Sequence, residues 1–240
     1  MSRYVIGCCL FLAISFAGCE SQADTIAREI GNLGHTDAAV RAQAAKYLGS
    51  VKATQAIPAL IRALNDRAEV EMRGPVKLLR GGYPKVYVQN VVAIALYDIG
   101  PTTVEPLFAE LQRSRSSWLK RGIILSLCYI INKPCHDTRI RSLILDSVRS
   151  QNSDVRVVSA NRLGAAWLGA QSSQERESII NTLKSALTDS DWYVRSHAVE
   201  SAEIIGSSDA VSLLKTRLSD EQDSVVKSKI ESSLKKLQKK

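Results

Sequence analysis

Six stretches of the chain can be laid over one another, and this internal repetition restricts the fold more than any other feature. DAAVRAQAAKYLG from Asp37, KVYVQNVVAIALYDIG from Lys85, SSWLKRGIILSLC from Ser116, NSDVRVVSANRLG from Asn152, DWYVRSHAVESAEIIG from Asp191 and DSVVKSKIESSL from Asp223 share one pattern. An apolar anchor (Val40, Val88, Leu119, Val155, Val194, Val226) is followed at once by a basic or amide residue (Arg41, Gln89, Lys120, Arg156, Arg195, Lys227). Four residues after the anchor stand Ala44, Val92, Ile123, Ser159, Ala198 and Ile230; eight after it stand Leu48, Leu96, Leu127, Leu163, Ala202 and Leu234. That spacing lines one helical face, so each stretch predicts a helix with a narrow buried stripe. Asp37, Asp191 and Asp223 sit where they can cap their helices, four residues ahead of Arg41, Arg195 and Lys227. The spacing suits both the helix dipole and an ion pair along the helix.

Between these segments run TIAREIGNL, AIPALIRAL, TVEPLFAEL, RIRSLILDSV, SIINTLKSAL and AVSLLKTRL, each with an apolar stripe of its own. The chain therefore reads as six helix pairs from about Ser21 to the C-terminus. Composition agrees: 240 residues with 45% hydrophobic but only 5% aromatic side chains suit helices packed through small residues, an all-α fold. The pattern resembles HEAT repeats, specifically the HEAT-like repeats first noted in phycobilisome lyases. The resemblance implies an α-solenoid of about six HEAT-like helix pairs in which the basic residue after the anchor ties neighbouring repeats together. Units of this kind cannot bury an apolar face alone; stacking creates one core and an extended curved surface.

The N-terminal MSRYVIGCCLFLAISFAGC joins a short basic start to an apolar run too short to span a bilayer, then small residues before Cys19. Residues 1–18 are expected to be a signal peptide that is removed, leaving 19–240 as the folded part. FAGC resembles the lipobox of bacterial lipoproteins, although Phe16 stands where that family usually has Leu. The resemblance implies a diacylated Cys19 anchoring the protein in the membrane, and Glu20 after it implies the outer membrane, facing the periplasm. With Cys8 and Cys9 removed, Cys128 and Cys135 remain as thiols within CYIINKPC. Outside the cytoplasm these two can pair as a disulfide. The alternative is a buried Cys128 acting as a small hydrophobe beside an unrelated loop Cys135.

Catalytic chemistry is not expected. His197, Glu200 and Glu203 share three-residue spacing, but His35 and His136 lie in distant units, so no convergent metal-ligand set is expected and no cofactor is implied. His197 reads as a solvated side chain beside Glu200. The HEAT-repeat enzyme deoxyhypusine hydroxylase uses His-Glu dipeptides that this chain lacks. Phosphate loops and nucleophile elbows are also missing from the sequence.

The departures from the repeat point to binding. DRAEVEMRGPVKLLRGGYPK, residues 66–85, interrupts the second unit with Arg73, Lys77, Arg80, Tyr83 and Lys85 around Gly and Pro punctuation. Beside it Val91, Ile94, Leu125 and Val158 make the outward columns apolar. Either the insertion folds down as a helical-turn lid through Val76 and Leu79, or the basic loop and the apolar patch together receive a partner. Aromatics recur just before the anchors at Tyr87, Trp118 and Tyr193, with Trp192 alongside, so Trp118 and Trp192 join the candidate partner-binding residues. Net charge is +8. For an exported chain this favours lipid head groups, wall polymers or acidic proteins over nucleic acid. The expected function is a non-enzymatic protein-interaction scaffold anchored by lipid in the bacterial cell envelope, its protein partner not named by the sequence. The alternative is an envelope protein holding an acidic polymer or small molecule in a concave groove.

Overall fold

The computed structural model describes residues 21–71, 85–130 and 135–239. Among them are twelve α-helices: α1 (Gln22–Asn32), α2 (Ala38–Ser50), α3 (Ile57–Ala63), α4 (Val88–Ile99), α5 (Val104–Arg113), α6 (Ser117–Ile130), α7 (Thr138–Ser147), α8 (Ser153–Gly169), α9 (Ser173–Leu187), α10 (Trp192–Ile205), α11 (Ser208–Asp220) and α12 (Ser224–Leu237). They form the six expected pairs. The even-numbered helices pack one on the next from α2 to α12, and the odd-numbered helices form a second layer behind them. This is an all-α solenoid. No single helix among the described residues is long and apolar enough to cross a membrane.

The repeated columns are the core. Every residue four after an anchor, from Ala44 to Ile230, is buried, as is every residue eight after it, from Leu48 to Leu234. Small residues let the helices approach closely: a Cβ added at Gly49 on α2 would lie 2.7 Å from the Ala95 Cα of α4. Side-chain caps start most helices. Asp37, Asp137, Asn152, Asp191 and Asp223 each accept backbone N–H groups of the first turn of the helix that follows.

The basic residues after the anchors join the units, by a different route from the i,i+4 pair that their spacing suggests. Arg41, Arg156 and Arg195 each donate to two carbonyls five and six residues back, in the turn before their own helix. Arg41 uses the oxygens of His35 and Thr36, Arg156 those of Ser150 and Gln151, and Arg195 those of Asp189 and Ser190. The rest of each guanidinium forks onto a carboxylate at the end of the following odd-numbered helix. Asp66 meets Arg41 at 2.6 and 3.1 Å, Asp189 meets Arg156 at 2.8 and 3.1 Å, and Glu221 meets Arg195 at 2.8 Å twice. The capping aspartates are turned onto backbone N–H groups, and the arginines reach past them to the next turn. Each acceptor carboxylate also takes the N–H two residues on, at Ala68, Asp191 or Asp223, and so closes its own turn.

Two units vary the device. Gln89, fully buried, donates to the carbonyls of Leu64 and Trp118 and accepts from Arg121 Nη1. Lys120, expected in the basic position of the third unit, is exposed; its neighbour Arg121 is buried and reaches Asp154 at 2.7 Å. Sequence reading also missed Arg141 on α7. It donates to Cys135 and His136 oxygens and reaches Glu175 at 2.7 Å. HDTRIR places Arg141 four residues after its capping aspartate, as TDAAVR places Arg41.

Glu221 has a pH consequence. Burial works to raise its carboxyl, but hydrogen bonds from Arg195, Arg217 and the Asp223 N–H outweigh burial and bring it from 4.5 to about 2. Folding thus favours the ionised form. Its contribution is complete above pH 4.5, the unfolded value, and is lost as pH falls towards 2. Urea unfolding should show about 3 kcal/mol draining from stability across that window. A Glu221→Gln variant that keeps the full slope would show that other carboxylates carry it.

The insertion is flanked by a two-stranded antiparallel ribbon. β1 (Glu69–Glu71) pairs with β2 (Lys85–Tyr87) in the register Glu69 to Tyr87, Val70 to Val86 and Glu71 to Lys85. Residues 72–84, with Arg73, Val76, Lys77, Leu79, Arg80 and Tyr83, lie outside the described residues, as do residues 1–20 with Cys19.

Candidate functional site

The ribbon roofs one side of a cavity of about 680 Å³ on the even-helix face. Its walls come from four successive even-numbered helices: Asn90 on α4; Arg121, Leu125 and Tyr129 on α6; Ser153, Asp154, Val157 and Val158 on α8; Tyr193 on α10. Glu69, Lys85, Val86 and Tyr87 complete it from the strands. The repeat explains this convergence, because successive even helices present outward positions to the same hollow, α6 along most of its length. Of the expected apolar patch, Leu125 and Val158 line it. Val91 lies instead in a separate hollow beside β1, 6% exposed, and Ile94 faces solvent at 41%.

Charges at the cavity are balanced in number, Glu69 and Asp154 against Lys85 and Arg121. Arg121 is buried and pairs with the half-exposed Asp154, and its guanidinium lies 5.6 Å from the Tyr87 ring and 4.8 Å from that of Trp118. Lys85 stands opposite Glu71 across the ribbon. Apart from Asn90 and Ser153 the remaining walls are aromatic and aliphatic, which suits an apolar occupant with a few hydrogen-bonding groups.

Residues 142–235 match the family described as HEAT repeats, and residues 40–66 match the PBS lyase HEAT-like repeat. This is a HEAT-repeat protein. Among solved structures, the complex of CpcE and CpcF of phycocyanin lyase from Nostoc sp. PCC7120 is similar with a TM-score of 0.54 and 18% identity. The match covers 75% of this chain and 98% of that one. An engineered protein is similar with a TM-score of 0.50 and 20% identity over 90% of this chain and 97% of that one. At such identities the likeness shows the fold alone. A sequence search of curated proteins finds no match.

Within this HEAT-repeat solenoid the other candidate residues take distinct places. Trp118 is used inside the fold: its indole Nε1 donates to the Asp66 carbonyl at 3.2 Å, and its ring meets Tyr87 edge-on at 5.2 Å. Trp192 is 40% exposed, edge-on to Tyr193 at 5.3 Å. Lys85 is exposed at the cavity's rim.

His197 is not solvated, contrary to the sequence expectation. Its side chain is 18% exposed, with Nδ1 2.8 Å from Glu200 and 3.2 Å from Asn161, and its ring stands edge-on to Tyr193 at 4.6 Å. Glu200 in turn meets Lys229 at 2.5 Å. Burial pushes the Glu200 carboxyl up, but hydrogen bonds from His197 and Lys229 prevail and set it at about 2. The cluster joins α8, α10 and α12. Packing from α8 on one side and α12 on the other withdraws His197 from water, which the single-helix spacing did not reveal. Among the described residues no group of three or more His, Cys, Asp and Glu side chains is placed to hold a metal ion.

Cys128 and Cys135 are free and buried, so the disulfide considered from sequence is not formed in this structure. Cys135 Sγ donates to the Asp137 carbonyl at 3.5 Å and its N–H to Ala165, while Cys128 is fully buried. Burial pushes the thiols up to about 12 and about 11. Because the thiolate is the nucleophile, native alkylation at pH 8 should be slow and two thiols per chain should react on unfolding. A Cys128 to Cys135 disulfide peptide in non-reducing mass spectrometry would contradict this.

Proposed function

We propose that this chain is a non-enzymatic scaffold that receives a segment of a partner protein in its concave cavity. Lipid on Cys19 would hold it in the bacterial cell envelope, at the outer membrane and facing the periplasm. The observation that carries the binding role is the cavity itself: a largely apolar and aromatic hollow contributed by four consecutive repeats, with as many acidic as basic side chains in its walls. Loops and grooves on a rigid solenoid are where such proteins place their contacts. An acidic polymer is the poorer occupant, since Arg121 is engaged by Asp154 and Glu69 adds a second carboxylate to the walls. The anchoring half rests on the FAGC segment.

Two experiments test the halves separately. A palmitate analogue should label the protein, and Cys19→Ala should abolish the label; label that persists refutes the lipid anchor. For the cavity, Ser153→Trp places an indole at its rim from the first residue of α8, outside the core. Crosslinked capture from solubilised envelopes should recover a stoichiometric protein with the wild type and lose it with Ser153→Trp. Equal recovery by both would remove the cavity from the reading.

A further inference from the structure

Gln89 and Asn90 are adjacent, both amides and both withdrawn from water, yet they are used in opposite ways. Gln89 spends its amide on Leu64, Trp118 and Arg121 to join three units. Asn90 is 8% exposed, lines the cavity, and its Oδ1 has no hydrogen-bond partner. Buried amide oxygens are almost always satisfied, because leaving one idle forfeits its hydration without return. A leucine or valine at this place would carry no such loss. Arg121 Nε, also buried beside the cavity, is a second idle group, a donor. The terminal torsion of an asparagine is broad, so the carboxamide can turn as a unit towards an occupant.

The occupant's chemistry follows from what the walls lack and what they already balance. An idle acceptor and an idle donor call for a group bearing both an N–H and a C=O. Paired charges at Arg121 and Asp154 call for an occupant without net charge. The aliphatic wall of Leu125, Val157 and Val158, with Tyr87 and Tyr129, calls for an apolar side chain. An uncharged peptide segment has all three.

We infer that the concave cavity reads an uncharged, apolar peptide segment, with the Asn90 carboxamide bonding to the segment's main chain and Leu125, Val157 and Val158 receiving its branched side chain. This deepens the scaffold reading above and rests on it for the partner being a protein. Asn90 is then a binding residue retained at the expense of packing.

The test uses the mature chain and a blocked tetrapeptide, acetylated and amidated, with two central leucines; the control peptide carries two central aspartates. Binding is followed by NMR titration and stability by thermal unfolding. The leucine peptide should bind the wild type at least about tenfold more tightly than the aspartate peptide. Asn90→Leu should weaken leucine-peptide binding about tenfold, the size of one lost hydrogen bond, while Tm holds or rises. Asn90→Ala should show the same loss of binding. Equal affinity for the two peptides, or affinity within about twofold of wild type in both Asn90 variants, overturns the inference. A lowered Tm in Asn90→Leu with unchanged binding would make Asn90 structural and overturn it too. If Ser153→Trp blocks partner capture while the Asn90 variants bind normally, the inference fails and the scaffold reading stands. If the peptide results hold while capture ignores Ser153→Trp, the scaffold reading fails instead.

Discussion

Glu221→Ala is expected to cost about 3 to 5 kcal/mol, read as a shift of the urea midpoint at pH 7 with the slope unchanged. The Glu221 side chain is 0% exposed and meets two guanidinium groups, Arg195 at 2.8 Å and Arg217 at 2.9 Å. Removing it leaves Arg195, 10% exposed at its side chain, as a cation with no counter-charge in place. It also frees the Asp223 N–H at the start of α12. Asp66→Ala provides the comparison. Asp66 is 14% exposed and its fork is with Arg41 alone, so a smaller loss is expected there. A cost for Glu221→Ala below about 1 kcal/mol would mean that water reaches Arg195 and that the pair behaves as a surface one.

The second large effect is steric. Gly169 closes α8, and a Cβ added there would overlap the backbone carbonyl of Cys135. No flexible side chain stands in the way that could yield. The obstructing carbonyl accepts from Arg141 Nη1 at 2.9 Å, and the Cys135 N–H donates to Ala165 at 3.1 Å, so moving this backbone strains both bonds. Gly169→Ala should therefore destabilise by about 3 kcal/mol, at the upper end for an added methyl. Gly31→Ala in α1 is the matched control, since a Cβ there meets nothing within 4 Å; it should be neutral or slightly stabilising. Similar losses at both sites would show that backbone freedom, not overlap, sets the cost.

The helical frame was readable because it is written in periodicity, and the buried columns four and eight residues after the anchors reproduce it. The acid-base geometry was only half readable. Spacing along a single helix suggested i,i+4 pairs, whereas the guanidinium groups reach a different turn, and that reach depends on how neighbouring units stack. Strict alignment of the repeats points to Lys120 rather than Arg121, while Gln89 and Arg121 share the linking role across two units. Strands of three residues around a Gly and Pro insertion carry too little alternation to be recognised. The cavity was the least readable part: Leu125 and Val158 were found as outward apolar residues, but Asn90 becomes notable only once its lack of a partner is seen.

The arginine links have a direction. Arg41, Arg141, Arg156 and Arg195 each reach forward in sequence to an acid supplied by the following unit, whereas the exposed Arg139 reaches back to Glu105. Length changes in such an array are therefore unequal in their effects. Excising a unit removes the acid that its predecessor holds and strands the arginine that it contributed. Copying a unit is harmless only when the break points fall so that each new arginine finds an acid in the unit that follows it. The chain can thus gain or lose whole repeats in evolution far more easily at some seams than at others, and the order of its units behaves like grammar rather than like a heap of interchangeable bricks.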